Sequence, residues 1–161
     1  MKEYVFSNMH KGEEKQISEM IQKVFEEFVA PDYTDKGREH FMKFINPNTI
    51  RTRNTIGNSS TILCRDQDKI VGLIEVQGYK HILLLFVDGS YHNQGIARRL
   101  LSLAVQQSIE NNPELKRLTV NASPFAVPVY CKLAFEKTGS EQVKDGIRYT
   151  PMELVVSPNL S

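Results

Sequence analysis

The run Ile82-Leu83-Leu84-Leu85-Phe86-Val87 constrains this chain more than any other segment. Its apolar residues do not alternate with polar ones. A strand built from it is dry on both faces and belongs inside a sheet that is covered on both sides. It is far shorter than the ~20 residues a membrane-spanning helix needs. Past a polar loop at residues 88–95, the period becomes helical: Ile96, Leu100, Leu103, Ala104 and Ile109 mark one stripe, which ends at Asn111-Asn112-Pro113. Leu118-Thr119-Val120-Asn121 then reads as a strand. Strand, helix and strand in that order imply a right-handed crossover and parallel pairing.

The flanking segments fill out the layers. Residues 4–7 read as a first strand. Residues 13–28 read as a helix on the spacing of Ile17, Met20, Ile21, Val24, Phe25 and Phe28, stopped by Pro31. Thr34 or Asp35 caps a second helix carrying Phe41, Phe44 and Ile45, which ends before Pro47. Residues 54–60 read as a loop. Residues 61–65 and 70–77 form a hairpin about the turn at Asp66-Gln67-Asp68-Lys69. A short helix at 127–133 and closing strands at 135–138 and 149–156 complete the chain. The expected architecture is α/β (α+β): one domain over residues 1–156, with a mixed sheet of about seven strands and about four helices. Residues 157–161 are a tail.

The formal net charge of +1 argues against a duplex nucleic acid partner, which favours a clear Lys/Arg excess. The N-terminus has no apolar block followed by small residues, so the expected location is cytoplasmic, with no membrane partner. Cys64 and Cys131 are far apart, and His10, His40, His81 and His92 show no ligand spacing, so no metal is expected.

The loop after the buried strand carries the chemistry. The first amides of a helix lack intrahelical partners and lie at the positive end of its dipole. Gly95 and Ala97 keep the backbone open to an anion, and Arg98 and Arg99 add charge. This is a pyrophosphate cradle in outline. An ordinary strand-to-helix turn fits equally well on this physics alone. Neither a nucleotide P-loop nor a dinucleotide Gly-x-Gly-x-x-Gly is present.

His92-Asn93-Gln94-Gly95-Ile96-Ala97 resembles the acetyl-CoA-binding motif of the GNAT superfamily of N-acetyltransferases, Gln/Arg-x-x-Gly-x-Gly/Ala, with His92 at the first position. The segment Tyr130-Cys131-Lys132-Leu133-Ala134-Phe135 resembles the family's Tyr-x-Lys-Leu-Gly-Phe, with Ala134 in place of glycine. The order of elements matches along essentially the whole chain.

This resemblance implies transfer of an acetyl group from acetyl-CoA, as co-substrate, to an amine, with the phosphates on the backbone of residues 91–98. Leu85, Phe86 and Val87 would line the thioester arm, with Asn121 and Ser123 on the neighbouring strand end. Tyr130 matches the tyrosine that protonates the leaving thiolate, and a phenol holds its proton at neutral pH. Cys131, adjacent on the helix, cannot face the same point and reads as a buried structural cysteine.

For the base, His81 shares a period-2 face with Leu83, Leu85 and Val87, and Glu75 is the other candidate. A strand-edge histidine and an exposed strand carboxylate are the plain alternatives. Tyr33, Arg38, Arg148 and Tyr149 would meet the acceptor, a small molecule or a peptide amine. A homodimer is compatible with the family. A non-catalytic acyl-CoA-binding module would keep the loop and discard the acid and base.

Overall fold

The computed structural model describes residues 2–156, so the expected tail lies outside the described residues. Strand β1 (Val5–Asn8) precedes helix α1 (Glu14–Val24), which buries Ile17, Met20, Ile21 and Val24. The expected single helix widens at Phe25–Val29 into one π turn and tightens at Ala30–Asp32 into a 3-10 turn containing Pro31. Helix α2 (Asp35–Phe44) is capped by Thr34, whose hydroxyl oxygen accepts from the Gly37 amide at 3.1 Å.

Helix α3 (Pro47–Thr55) fills a stretch for which no element was expected and takes the first two residues of the expected loop. Asn46 caps it by accepting from the Asn48 amide, and Pro47 begins it. Its buried side consists of Ile50 and Arg53, so it has no apolar stripe for the sequence to announce.

Strands β2 (Ser59–Asp66), β3 (Lys69–Gln77) and β4 (His81–Val87) form an antiparallel meander. Helix α4 (Ile96–Asn111) crosses over to β5 (Arg117–Ala122), which pairs parallel to β4. Helix α5 (Ala126–Lys132) leads to β6 (Glu136–Lys137), β7 (Gln142–Lys144) and β8 (Ile147–Val155). The sheet runs β1-β2-β3-β4-β5-β8-β6, with β7 attached to β8. All three residues of β7 are exposed, which hid it from a reading based on burial.

The sheet separates two cores. Ile82, Val87, Ile96, Leu100, Leu118, Val120 and Tyr130 pack on the α4–α5 side. Ile17, Ile21, Phe25, Phe41, Leu73 and Leu84 pack on the α1–α3 side. Leu73 and Leu100 are wholly excluded from solvent, and burial of this kind contributes about 1.5–3 kcal/mol per side chain. No helix among the described residues is long and apolar enough to cross a membrane.

Candidate active site

The two parallel strands part almost as soon as they meet. β4 and β5 pair only at His81 with Thr119 and Ile82 with Val120. Beyond that point β4 keeps its β3 partner, while its other edge faces an opening. The Asp88 amide donates to Val71 on β3 at 2.8 Å. Main-chain groups alternate sides along a strand, so those of Leu85 and Val87 point the other way, into the gap. A cleft of about 440 Å³ fills this space. It is lined by Leu85, Phe86 and Val87 on one strand and by Asn121 and Ser123 beyond the other.

Helix α4 begins at one end of the cleft. Gly95, just before its first residue, has φ +80, a left-handed conformation that glycine adopts without strain. No side chain caps the helix, and a Cβ at Gly95 would enter open space. The first-turn amides therefore face the cleft unscreened, beside His92, Asn93, Ile96, Ala97 and Arg98. His92 donates from Nε2 to the Val87 carbonyl at 2.8 Å, which fixes its tautomer and ties the loop to the end of β4. Its ring lies 5.1 Å from that of Phe28, and Phe28 stacks at 4.9 Å on Phe125. The π turn thus carries an aromatic bridge from the α4 loop to the start of α5.

Asp88 locks the other end of the loop. Burial alone would raise its carboxyl, but the Ser90 amide and the Lys23 ammonium outweigh burial and hold it below the ordinary carboxylate range. Gln94 turns away from the cleft and accepts a hydrogen bond from the Tyr4 hydroxyl. Arg98 donates to the Lys132 carbonyl at 3.2 Å, bracing α4 against α5.

Tyr130 lines the opposite wall, 4% exposed, with its ring 5.0 Å from Phe135 in an edge-to-face contact. Burial pushes its phenol well above the ordinary value, and no protein group among the described residues shares its proton. It stays a proton carrier at any physiological pH. The end of α5 sets its place: Phe135 donates to the Tyr130 carbonyl and Ala134 to the Cys131 carbonyl, a Schellman closure. Ala134 takes the left-handed position at φ +72, where a glycine would be unstrained.

Several expected site residues sit elsewhere. Glu75 is 1% exposed and does not line the cleft. Its two oxygens accept from Arg53 Nε at 2.8 Å and Nη2 at 3.0 Å, so the carboxylate is committed to an ion pair under α3. His81 does not share the face of Leu85 and Val87. Glu75 pairs with Leu84 and Val76 with Ile82, which leaves Leu83 as the extra residue of a bulge. The bulge reverses the alternation, and the Gln77–His81 pair faces the α1–α3 side with Glu75. There His81 Nδ1 lies 2.7 Å from the Thr119 hydroxyl, half-buried, and burial lowers its pKa.

Of the four residues expected at the acceptor, only Tyr33 lines the cleft; burial, then the Asp32 charge, raises its phenol to about 12. Arg38 donates to the Ala30 carbonyl at 3.1 Å, Arg148 pairs with Glu141 and Asp32, and Tyr149 donates to Gln142. Cys131 is exposed, not buried, and does not reach the cleft. Sequence reasoning missed Phe125 and Leu83 as cleft residues; Leu83 carried only the signal of a buried strand.

The fold is shared with known proteins. Residues 29–156 match the model of the acetyltransferase (GNAT) domain. The fold is similar to a GCN5-related N-acetyltransferase from Rhodopseudomonas palustris, with TM-score 0.79 and 18% identity over 97% of this chain and 98% of that one. It is also similar to the PaiA N-acetyltransferase from Thermoplasma acidophilum in complex with coenzyme A, with TM-score 0.77 and 14% identity over 96% and 99%. An aminoglycoside 6'-N-acetyltransferase complexed with coenzyme A gives TM-score 0.65 and 14% identity over 96% and 98%. No curated protein sequence matches the chain significantly. With a family model spanning most of its length, the chain belongs to the GNAT acetyltransferases.

Proposed function

We propose that this enzyme transfers the acetyl group of acetyl-CoA to a primary amine by direct attack, with both substrates bound at once. The observation that carries this reading is the gap between β4 and β5. It has unpaired main-chain groups along one edge, an uncapped helix start at one end and the Tyr130 phenol on its wall. The pyrophosphate of acetyl-CoA would rest on the first amides of α4, with Gly95 allowing close approach. The thioester arm would run along β4, and the Leu85 amide would donate to the carbonyl oxygen as charge develops there.

The amine nitrogen then forms a bond to the thioester carbon, and the carbon–sulfur bond breaks. Tyr130 gives its proton to the sulfur, and its burial keeps that proton in place until needed. The surplus proton on nitrogen leaves through solvent to His81, which lies outside the cleft lining and whose lowered pKa keeps the imidazole unprotonated at neutral pH. Glu75 takes no part.

The test is acetyl-CoA binding followed by thermal unfolding and CoA release. At a hundredfold excess over Kd, acetyl-CoA stabilises the fold by about 2.7 kcal/mol. In Gly95→Val a β-branched residue is forced to positive φ and its side chain enters the anion's approach, so the shift disappears. A native protein that shows no shift would refute the reading.

A further inference from the structure

The cleft crosses the sheet, and its two halves differ in chemistry. The half on the α4–α5 side holds the polar loop and Tyr130. The half on the α1–α3 side is walled by Val24, Val29, Tyr33, Phe41, Leu83 and Phe86. No Asp or Glu lines the cleft among the described residues. Asp32, beside Tyr33 in the chain, is paired with Arg148 at 3.4 Å, and Arg148 is also held by Glu141; Asp88, beside Val87, is buried and held by Lys23 at 3.0 Å. A polyamine or aminoglycoside keeps several charges that need carboxylate partners, and this wall supplies none. The rings of Tyr33 and Phe41 meet edge-to-face at 6.5 Å, and Phe86 lies 6.0 Å from Phe41. They form an aromatic corner open to the gap.

The wall beside Tyr33 is closed. The Thr34 amide donates to the Gly146 carbonyl at 3.2 Å, and a Cβ on Gly37 would lie 2.3 Å from that same oxygen. Backbone meets backbone there, so no chain passes between Gly37 and Gly146. The cleft is at the small end of the range for small-molecule sites, ~300–1,000 Å³, and the thioester arm must share it.

Resting on the acetyltransferase reading, we infer that the acceptor is a small arylalkylamine: one primary amine on a short chain ending in an aromatic ring. The ring sits in the corner of Tyr33, Phe41 and Phe86, and the amine points into the gap. Such a wall also disfavours the ammonium form through desolvation, so the amine enters as the neutral nucleophile.

The experiment measures kcat/KM for phenethylamine, ethylamine, spermidine, kanamycin and a Phe-Ala-Ala tripeptide, alongside acetyl-CoA affinity by calorimetry. Phenethylamine exceeds ethylamine by about tenfold to a hundredfold, the scale of burying one phenyl ring, and is the best acceptor in the panel. Tyr33→Phe keeps that ranking. Tyr33→Glu lowers kcat/KM for phenethylamine at least tenfold and raises it for spermidine, while acetyl-CoA affinity stays within twofold. If acetyl-CoA binds but spermidine, kanamycin or the tripeptide is preferred, or the phenyl ring gives no advantage, this inference falls and the acetyltransferase reading stands. If acetyl-CoA does not bind, both fall.

Discussion

Replacing Glu75 by Gln separates a base from a structural ion pair. The carboxylate is 1% exposed and makes two hydrogen bonds with Arg53, at 2.8 and 3.0 Å. Arg53 is itself anchored: Nη1 donates to the Phe44 carbonyl at 2.6 Å, and its guanidinium lies 3.9 Å from the centre of the Phe44 ring. It cannot swing out to water when its partner loses charge. Removing one member of a buried pair costs about 3–5 kcal/mol. Gln fills the same volume and leaves one accepting oxygen, so the loss falls near the lower end, about 3 kcal/mol. For a chain of this size that is a fall in Tm of about 6–12 °C. Urea unfolding followed by circular dichroism reads the stability, and kcat is measured at 15 °C, where the variant is folded. The expected result is a large loss of stability with kcat within about twofold of native. Replacing both residues by apolar ones recovers part of the loss, because no charge is left stranded. Undiminished stability with a hundredfold loss of kcat would show that the carboxylate serves the reaction and would overturn the structural assignment.

Tyr130→Phe keeps the edge-to-face contact with Phe135 and removes the proton; kcat falls about a hundredfold with acetyl-CoA affinity unchanged, and an unaltered single-turnover rate would remove the acid role. Ala134→Gly relieves an alanine held at φ +72. That relief of about 1–2 kcal/mol exceeds the extra unfolded-state entropy of glycine, so the variant gains about 0.5–1 kcal/mol in chemical denaturation. His81 has its pKa lowered by burial, so the stability it contributes is complete above its ordinary value of about 6.5 and is lost as pH falls below it. The acid limb of kcat accordingly rises with a midpoint below 6.5 and is absent in His81→Ala. A limb that instead follows the acceptor's own pKa, in both native and variant, excludes His81.

What could be read from the sequence was what neighbours in the chain decide. The unbroken apolar run of β4 requires cover on both faces, Gly95 marks a backbone turn that only an αL residue completes, and Tyr130 lies a fixed helical distance before the Schellman closure. The errors arose where distant segments decide. A period-2 argument carried His81 to the face of Leu85 and Val87, but a bulge at Leu83 lies between them. That bulge carries no glycine or other local mark. Glu75 read as a free carboxylate because its partner is on α3, a helix whose buried face is one isoleucine and one arginine and so leaves no hydrophobic period. Arg38, Arg148 and Tyr149 were expected at the acceptor because cations and phenols can grip one, but each is already bonded within the protein. Of the wall proposed for the acceptor, Tyr33 and Phe86 were expected at the site, while Val24, Val29, Leu83 and Phe41 are residues that a sequence reading assigns to the core. Apolar side chains become a site only where two strands part, and the parting at Ile82 and Val120 follows from the register of the sheet, which no single stretch of sequence contains.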